Sequence, residues 1–313
     1  MSDGLRIAVL MGGRSLERQV SLRSGARVQD ALQRLGHDVV GVDAGSDLVQ
    51  RLREIDPDVV FVALHGQDGE DGTVQSLLEA LGLPYTGSEV GACIRCADKI
   101  LTKHALRDAG LPTPDWFAFN ERAFEGLGAG DALPAVEERL SFPVVVKPNN
   151  QGSALGVRFA ASAADIPGAL LASFSYAPAV LLEQHVAGRE LAVSVLDGEA
   201  LPVVEAIPQS DRYDFEARYQ IGRTTFACPA DLPPEVEARA QEIALAATTA
   251  LGCRGAARVD LILDEESGAL TILEIDTVPG LTETSLLPLA ADAAGLDFDA
   301  LVARMLATAP LRA

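Results

Sequence analysis

Three short apolar runs in the first hundred residues, RIAVL, DVVGVD and DVVFVAL, constrain this chain more than any other feature of its sequence. Each is a nearly continuous block of β-branched and aliphatic residues. That is the pattern of a strand buried on both faces, not of one that alternates between core and water. Between and after them, SLRSGARVQDALQRLG and TVQSLLEALG carry apolar residues at helical spacing and stop at Gly36 and Gly82, which read as helix C-caps. Strands alternating with helices predict a doubly wound parallel α/β sheet.

After DKILTKHALRDAG, a helix closed by Gly110, the pattern changes. LPTPDWFAF enters through two prolines, and residues 120–140 are rich in Gly, Ala and Glu without a clear element. FPVVVKP is a strand stopped by Pro148, and NNQGSALGV a glycine-bearing loop. VLLEQHV and ELAVSVLDGEALPVVEAI add strands, the second with an Asp-Gly hairpin turn. QSDRYDFEARYQIGR has no period and reads as an ordered loop over a site. PPEVEARAQEIALAATTALG is an amphipathic helix with Pro near its start, ARVDLILD-EESG-ALTILEID is a hairpin, and two short helices finish the chain.

The 313 residues have room for two or three domains. A formal net charge of −20 repels phosphate backbones and anionic membranes, which excludes nucleic acid and membrane as partners. No run approaches the roughly 20 apolar residues that span a bilayer. The opening MSDGLRIAVLMGG lacks a basic leader, so a cytoplasmic chain is expected. Four cysteines are too few for a disulfide framework. Cys93 and Cys96 form a C-x-x-C that reads as small buried residues on a helix, while Cys228 and Cys253 stand alone.

The hairpin carries the strongest chemical signal. Residues i and i+2 of a strand share a face, so Glu274 projects with Asp276, and Arg258 with Asp260. With Asp260 opposite Glu274 and Asp264 opposite Leu270, three carboxylates meet on one face, an arrangement that a one-residue slip would break. Bare carboxylates so close repel, and a divalent cation such as Mg²⁺ is the ordinary remedy. The alternative is an acidic hairpin whose charges face solvent without converging. In VVVKPNNQGSALG, Lys147 and the glycine loop offer a cation and backbone N–H groups to phosphates, with Lys99 as a second cation; no Walker motif is present. In VPGLTETSLLP, the Gly280 amide and Arg258 can face a substrate oxygen, and Ser285 either receives a carboxylate at a helix start or is a simple N-cap. In MGGRSLERQVSLRSG no dinucleotide fingerprint follows Gly12-Gly13, but Glu17 falls at the carboxyl ends of the strands, where an acid suits a substrate ammonium. His65 points to the same crevice or is a satisfied structural histidine.

Eight pieces, GGRSLERQVSLRSG, ALHGQDGEDG, LPYTGS, DKILTK, VVVKPNNQGSALG, YDFEARY, ARVDLIL and EIDTVPGLTETSLLP, occur in order along the whole chain. Together they resemble the D-alanine–D-alanine ligase family of the ATP-grasp superfamily. The resemblance implies an ATP-grasp fold of mixed α/β and α+β class. It would have an N-terminal doubly wound parallel-sheet domain (1–97) and two antiparallel-sheet domains (98–186 and 187–313) that sandwich ATP. It implies that Lys99 and Lys147 contact phosphates, that Glu183 and the backbone through Val186 hold adenine, and that Glu190 holds the ribose. Asp260, Glu274 and Asp276 would carry two Mg²⁺ ions, with Mn²⁺ as a substitute. Glu17 would bind the first substrate's ammonium, with Ser153 and Tyr219 hydrogen-bonded to it. Arg258 and the Gly280 amide would face the tetrahedral intermediate, and Ser285 with Leu286 the second substrate. The implied reaction joins two D-alanines through an acyl phosphate for peptidoglycan precursors, in a cytoplasmic homodimer. A ligase for another amino or hydroxy acid pair and a silent ATP sensor are the alternatives.

The chain departs from the family pattern in four places. Asp276 stands where asparagine is usual, Arg218 where lysine is usual, Ala154 for a second loop serine, and His185 for a common tryptophan. The resemblance implies, through Tyr219, D-alanine rather than D-lactate as second substrate.

Overall fold

The computed structural model describes residues 4–209 and 223–310. The three apolar runs form one parallel sheet, with β1 (Arg6–Met11) between β2 (Asp38–Asp43) and β3 (Val59–Val62). Ile7 pairs with Val39 on one side and Val59 on the other. The central strand is sealed on both faces: Ile7, Ala8, Val9 and Leu10 have no exposed surface. Helices α1 (Arg18–Arg34), α2 (Leu48–Ile55) and α3 (Thr73–Ala80) alternate with the strands. Gly36 and Gly82 follow α1 and α3 in the left-handed region, at φ 90° and 64°, the conformation that stops a helix at least cost in glycine.

Helices α4 (Val90–Ala97) and α5 (Lys99–Asp108) meet at Asp98, whose side chain accepts from the Leu101 N–H and starts α5. A four-stranded antiparallel sheet follows, built from β4 (Trp116–Asn120), β5 (Val144–Pro148), β6 (Arg158–Ala160) and β7 (Ala179–Gln184) in the order β4-β7-β5-β6. Residues 120–140, without a clear element in sequence, hold two short helices, α6 (Glu121–Gly126) and α7 (Leu133–Glu137). Asn120 caps the first by accepting from Arg122 N–H. Val136 belongs to the core cluster that also holds Val144, Val146, Val180 and Leu182, and Phe124 and Leu133 pack against it. Helices this short carry too few turns to display a period, so packing sets them and pattern does not reveal them. Helix α8 (Ile166–Phe174) completes this layer.

The third sheet is also antiparallel, with β8 (Arg189–Leu196), β9 (Glu199–Ala200), β10 (Val204–Pro208), β11 (Thr224–Ala227), β12 (Ala256–Leu263) and β13 (Leu270–Asp276). Its order is β11-β10-β8-β12-β13, with β9 folded back on β8 through Asp197 and Gly198, both at positive φ. Helix α9 (Pro234–Leu251) buries Ala240, Ile243, Ala244 and Ala247 in a core with Val193, Val259 and Ile272.

The last helices, α10 (Leu286–Ala293) and α11 (Phe298–Ala307), share a core with the first strand. Leu287, Leu301, Val302 and Met305 form one buried cluster with Ile7, Val9, Val28 and Phe61. Arg34 of α1 pairs with Asp299 of α11, and Arg27 stacks over the Phe298 ring at 3.9 Å. The first strand and the last two described helices are therefore held in one apolar unit. Leu301→Ala, which empties a fully buried position there, is expected to lower unfolding free energy by about 2–5 kcal/mol, read as a lower urea midpoint in equilibrium unfolding.

Candidate active site

The acidic hairpin forms with Arg258 opposite Asp276 and Asp260 opposite Glu274. Beyond Asp260 the register shifts, so Leu261 pairs with Ile272, and Leu263, not Asp264, pairs with Leu270. Leu273 is the extra residue of a β-bulge. Asp264 instead folds into the turn, where its carboxylate accepts from Glu266 and Ser267 N–H. The bulge lies past the charged pairs, so the four charged side chains keep one face.

These carboxylates are not bare. Arg258 makes two contacts to Asp260, at 2.7 and 3.0 Å, and one to Asp276 at 3.0 Å. Lys99 Nζ lies 3.5 Å from Glu274. Burial works against the Arg258 charge, but Asp260 and then Asp276 outweigh it and raise its pKa well above the usual value. Among the described residues no group of three or more His, Cys, Asp or Glu side chains stands in ion-holding geometry. Arg258 and Lys99 thus set positive charge against all three carboxylates of the hairpin face.

A cleft of about 750 Å³ opens beside the hairpin. Arg258, Glu274 and Asp276 line it from β12 and β13. Glu17 enters from the start of α1, and Ser153 from the glycine loop after β5. The Ser153 hydroxyl donates to Glu17 Oε1. Ser153 and Ala154 both hold positive φ, 54° and 56°, a costly backbone for residues with a Cβ and one that concentrates at functional sites. Gly66 packs against the other Glu17 oxygen so closely that a Cβ would overlap it. Lys99 bridges this loop to the hairpin, donating to Gln151 O at 2.8 Å.

Gly280 and Ser285 line the same cleft. A Cβ on Gly280 would fall 2.7 Å from Ser285 Oγ, so any larger residue there would displace that hydroxyl. Ser285 sits at the N-cap of α10 but makes no capping hydrogen bond. Its hydroxyl instead accepts from Thr282 N–H at 3.0 Å and bonds the Thr282 hydroxyl at 2.8 Å. Leu286 lines the cleft beside it.

His65 resolves as a satisfied histidine that also lines the cleft. Its Nδ1 donates to Val278 O at 2.9 Å, and its Nε2 accepts from the Ser24 hydroxyl at 2.8 Å, which in turn accepts from Leu281 N–H. This relay ties α1 and the end of β3 to the loop after β13.

Lys147 and Glu183 lie on paired strands β5 and β7, deep beneath the surface. Lys147 Nζ donates to Glu183 Oε1 at 3.0 Å, and Lys103 Nζ forms an ion pair with Oε2 at 2.6 Å. Burial would raise the Glu183 carboxyl, but Lys147 and Lys103 overcome it and hold it below its ordinary value. Burial pulls Lys103 down to about 8 against the attraction of Glu183. Val186 follows β7, and Glu190 lies on β8 opposite Ile262 and Ala206; both are half-buried. Tyr219, Arg218 and the YDFEARY segment lie outside the described residues.

Comparison with known proteins places the whole chain in one family. Residues 105–307 match the model of the D-ala D-ala ligase C-terminus, and residues 45–88 that of the N-terminus. The D-alanine–D-alanine ligase of Syntrophotalea carbinolica is 44% identical over 98% of this chain and 97% of its own. The chain belongs to the D-alanine–D-alanine ligase family. Among solved structures, the Bacillus anthracis D-alanine–D-alanine ligase complexed with ATP superposes with a TM-score of 0.82 at 34% identity, covering 97% of each chain. The VanG D-Ala:D-Ser ligase from Enterococcus faecalis gives 0.83 at 26% identity, covering 97% of this chain and 99% of its own. The ATP-grasp fold expected from the sequence is thus the fold observed, with one parallel and two antiparallel sheets.

Two charged groups of this ligase-family site escaped the sequence reading. Lys103, one helical turn beyond Lys99 on α5, reads as an ordinary helix lysine; only the lysine spacing in DKILTK hinted at a shared face. Glu70 lies in a loop with no periodicity and accepts from Gly66 N–H at 2.8 Å in the cleft wall. Burial first, then Asp276 and Glu17, raise its carboxyl well above the ordinary range.

Burial lowers the His65 pKa, so the folded chain keeps the ring neutral where the unfolded chain protonates it near pH 6.5. Below that pH the unfolded state binds more protons, and the His65 contribution to stability falls as pH falls. Glu70 acts in the opposite sense, since its raised folded pKa costs stability as pH rises. The two separate by difference: between about pH 7 and about pH 5 the melting temperature should fall more steeply in the parent than in His65→Gln, as measured by calorimetry.

Proposed function

We propose that this chain joins two D-alanine molecules into D-alanyl-D-alanine, with ATP converted to ADP and phosphate, as a step in peptidoglycan precursor synthesis. The observation that supports this most directly is one cleft in a chain of this family that gathers Glu17 with Ser153, Lys99, and the Arg258–Asp276 pair. Glu17 offers a carboxylate to the ammonium of the first D-alanine and is itself oriented by Ser153. Lys99 and Lys147 are the cations for ATP phosphates. Glu183, ion-paired with Lys147, and the backbone through Val186 take adenine, and Glu190 takes the ribose. The carboxylate of the first D-alanine takes the γ-phosphoryl group, and the amine of the second displaces phosphate from the resulting acyl phosphate. Arg258 and the Gly280 amide meet the negative oxygen that develops in that displacement. Ser285, with its hydroxyl turned away from capping, and Leu286 receive the second D-alanine. Tyr219, outside the described residues, is assigned to hydrogen-bond with Glu17 and Ser153, a closure that would keep water from the acyl phosphate.

Asp260, Glu274 and Asp276 suit Mg²⁺, or Mn²⁺ in its place. All are hard oxygen donors, half-buried on one face of one hairpin. Two such ions, when bound, neutralise charge on the transferring phosphoryl group. Arg258 and Lys99 hold those donors in place and carry the compensating charge. Asp276 adds one negative charge to the set relative to the usual asparagine. The reading goes with a division at 97/98 and 186/187, a cytoplasmic location and a homodimer. No helix among the described residues is long and apolar enough to cross a membrane.

Incubation with ATP, Mg²⁺ and D-alanine should yield the dipeptide by mass spectrometry, with ADP in equal amount. D-Serine or D-lactate as a far better second substrate would replace the assignment. Glu274→Ala should abolish turnover, and near-normal ADP release would remove the metal role. Arg258→Ala should lower kcat by about a hundredfold or more, as loss of an oxyanion donor does.

A further inference from the structure

Two thiols distant in sequence form the partition between two cavities. Cys96, at the end of α4, lines the active cleft. Cys253, in the turn between α9 and β12, lines a second cavity of about 430 Å³ bounded also by Asp197, Thr249 and Arg254. Their Sγ atoms lie 3.6 Å apart. A disulfide of about 2.05 Å needs an approach of only about 1.5 Å from there. Cys253, which stands alone in the sequence, is thus the neighbour of the C-x-x-C motif. We propose that Cys96 and Cys253 form a reversible disulfide, a thiol-oxidation site entered from the second cavity and felt in the active cleft.

The other two thiols are poorer partners. Cys93 is fully buried, donates to Ser88 O at 3.4 Å, and is pushed by burial up to about 12. Cys228 is pushed by burial up to about 11. Cys253 differs from both. The two sulfurs share a hydrogen bond, and Ser88 and the Arg95 guanidinium beside Cys253 act with it against burial to lower the Cys253 thiol. The thiolate is the nucleophile in peroxide chemistry, and Cys253 is the half-buried one of the pair.

With a hydroperoxide as oxidant, the Cys253 thiolate attacks the O–O bond. An S–O bond forms, the O–O bond breaks, and the leaving oxygen takes a proton to give an alcohol, or water from hydrogen peroxide. Cys96 sulfur then attacks the Cys253 sulfenic acid. The S–S bond forms, the S–O bond breaks, and hydroxide leaves as water with the Cys96 proton. Two thiols are oxidised and one O–O bond is reduced by the same two electrons.

The bond would act on a corner that already couples these segments. Arg95 donates twice to Leu251 O at the end of α9, at 3.1 and 2.6 Å. Thr102 donates to Arg95 O and Cys96 O, fixing α4 to α5. Lys99, at the start of α5, bridges the glycine loop and Glu274. Drawing Cys96 toward Cys253 shifts that corner, and a displacement near 1 Å at a reacting site can cost on the order of a hundredfold in rate.

The test uses the full chain, reduced, then treated with hydrogen peroxide, alkylated and mapped by mass spectrometry without reductant. A peptide pair joining Cys96 to Cys253 is expected, lost again with dithiothreitol. ADP release with D-alanine should fall by about tenfold or more in step with that pair and recover on reduction. Cys253→Ser, or Cys253→Ala if the first folds poorly, should keep the untreated rate and resist peroxide, while Cys93→Ser stays sensitive. A Cys93–Cys96 link, no link at all, or equal peroxide loss in the Cys253 variants would overturn the proposal. The peptide map does not depend on the substrate assignment: the 96–253 link in protein inactive on D-alanine would uphold the thiol site and fail the ligase reading.

Discussion

The ion pairs of Arg258 govern the site. A guanidinium this deep costs several kcal/mol in desolvation unless its charge is matched at close range. Asp260 and Asp276 supply that match from two neighbouring strands, and in return Arg258 lets two carboxylates stand close together. The arrangement requires registry at residue level, because a slip of one would place an acid against the apolar core. The bulge at Leu273 falls where it spares this registry and lets the hairpin turn at Asp264. The two strands thereby present charge to the cleft and apolar side chains such as Val259 and Ile275 to the core beneath α9.

A second buried ionic group, Lys103–Glu183–Lys147, sets the other side of the nucleotide region in the proposed reading. Its logic resembles that of the hairpin with signs reversed, since one carboxylate holds two ammonium groups. Neither cluster stabilises the fold cheaply, and both place fixed charges where a phosphate-bearing substrate would otherwise meet a desolvated wall.

Much of this was legible in the sequence because it rests on short-range periodicity. Continuous apolar runs marked β1 to β3, positive-φ glycines marked the helix ends, and i, i+2 spacing marked the shared face of Arg258, Asp260, Glu274 and Asp276. What escaped depended on partners distant along the chain. The bulge could not be read from alternation, so Asp264 was misplaced against Leu270. Lys103 and Glu70 acquire their character only from burial beside Glu183 in one case and Asp276 in the other. Cys253 has no local signal at all, and meets Cys96 only because α9 packs beside α5 and α4. The carboxylates were read as bare because the pattern showed Arg258 beside Asp260 without showing that it reaches Asp276 as well.

The shared core of β1 and α11 has a consequence for how the molecule is made. The first strand leaves the ribosome long before Leu301 and Met305, which seal one face of its sheet. During synthesis that face remains open to solvent, or to other chains, until α11 emerges. Maturation of the amino-terminal layer thus waits for residues about 290 positions later, and a nascent chain stalled before Leu301 would expose its oldest apolar surface.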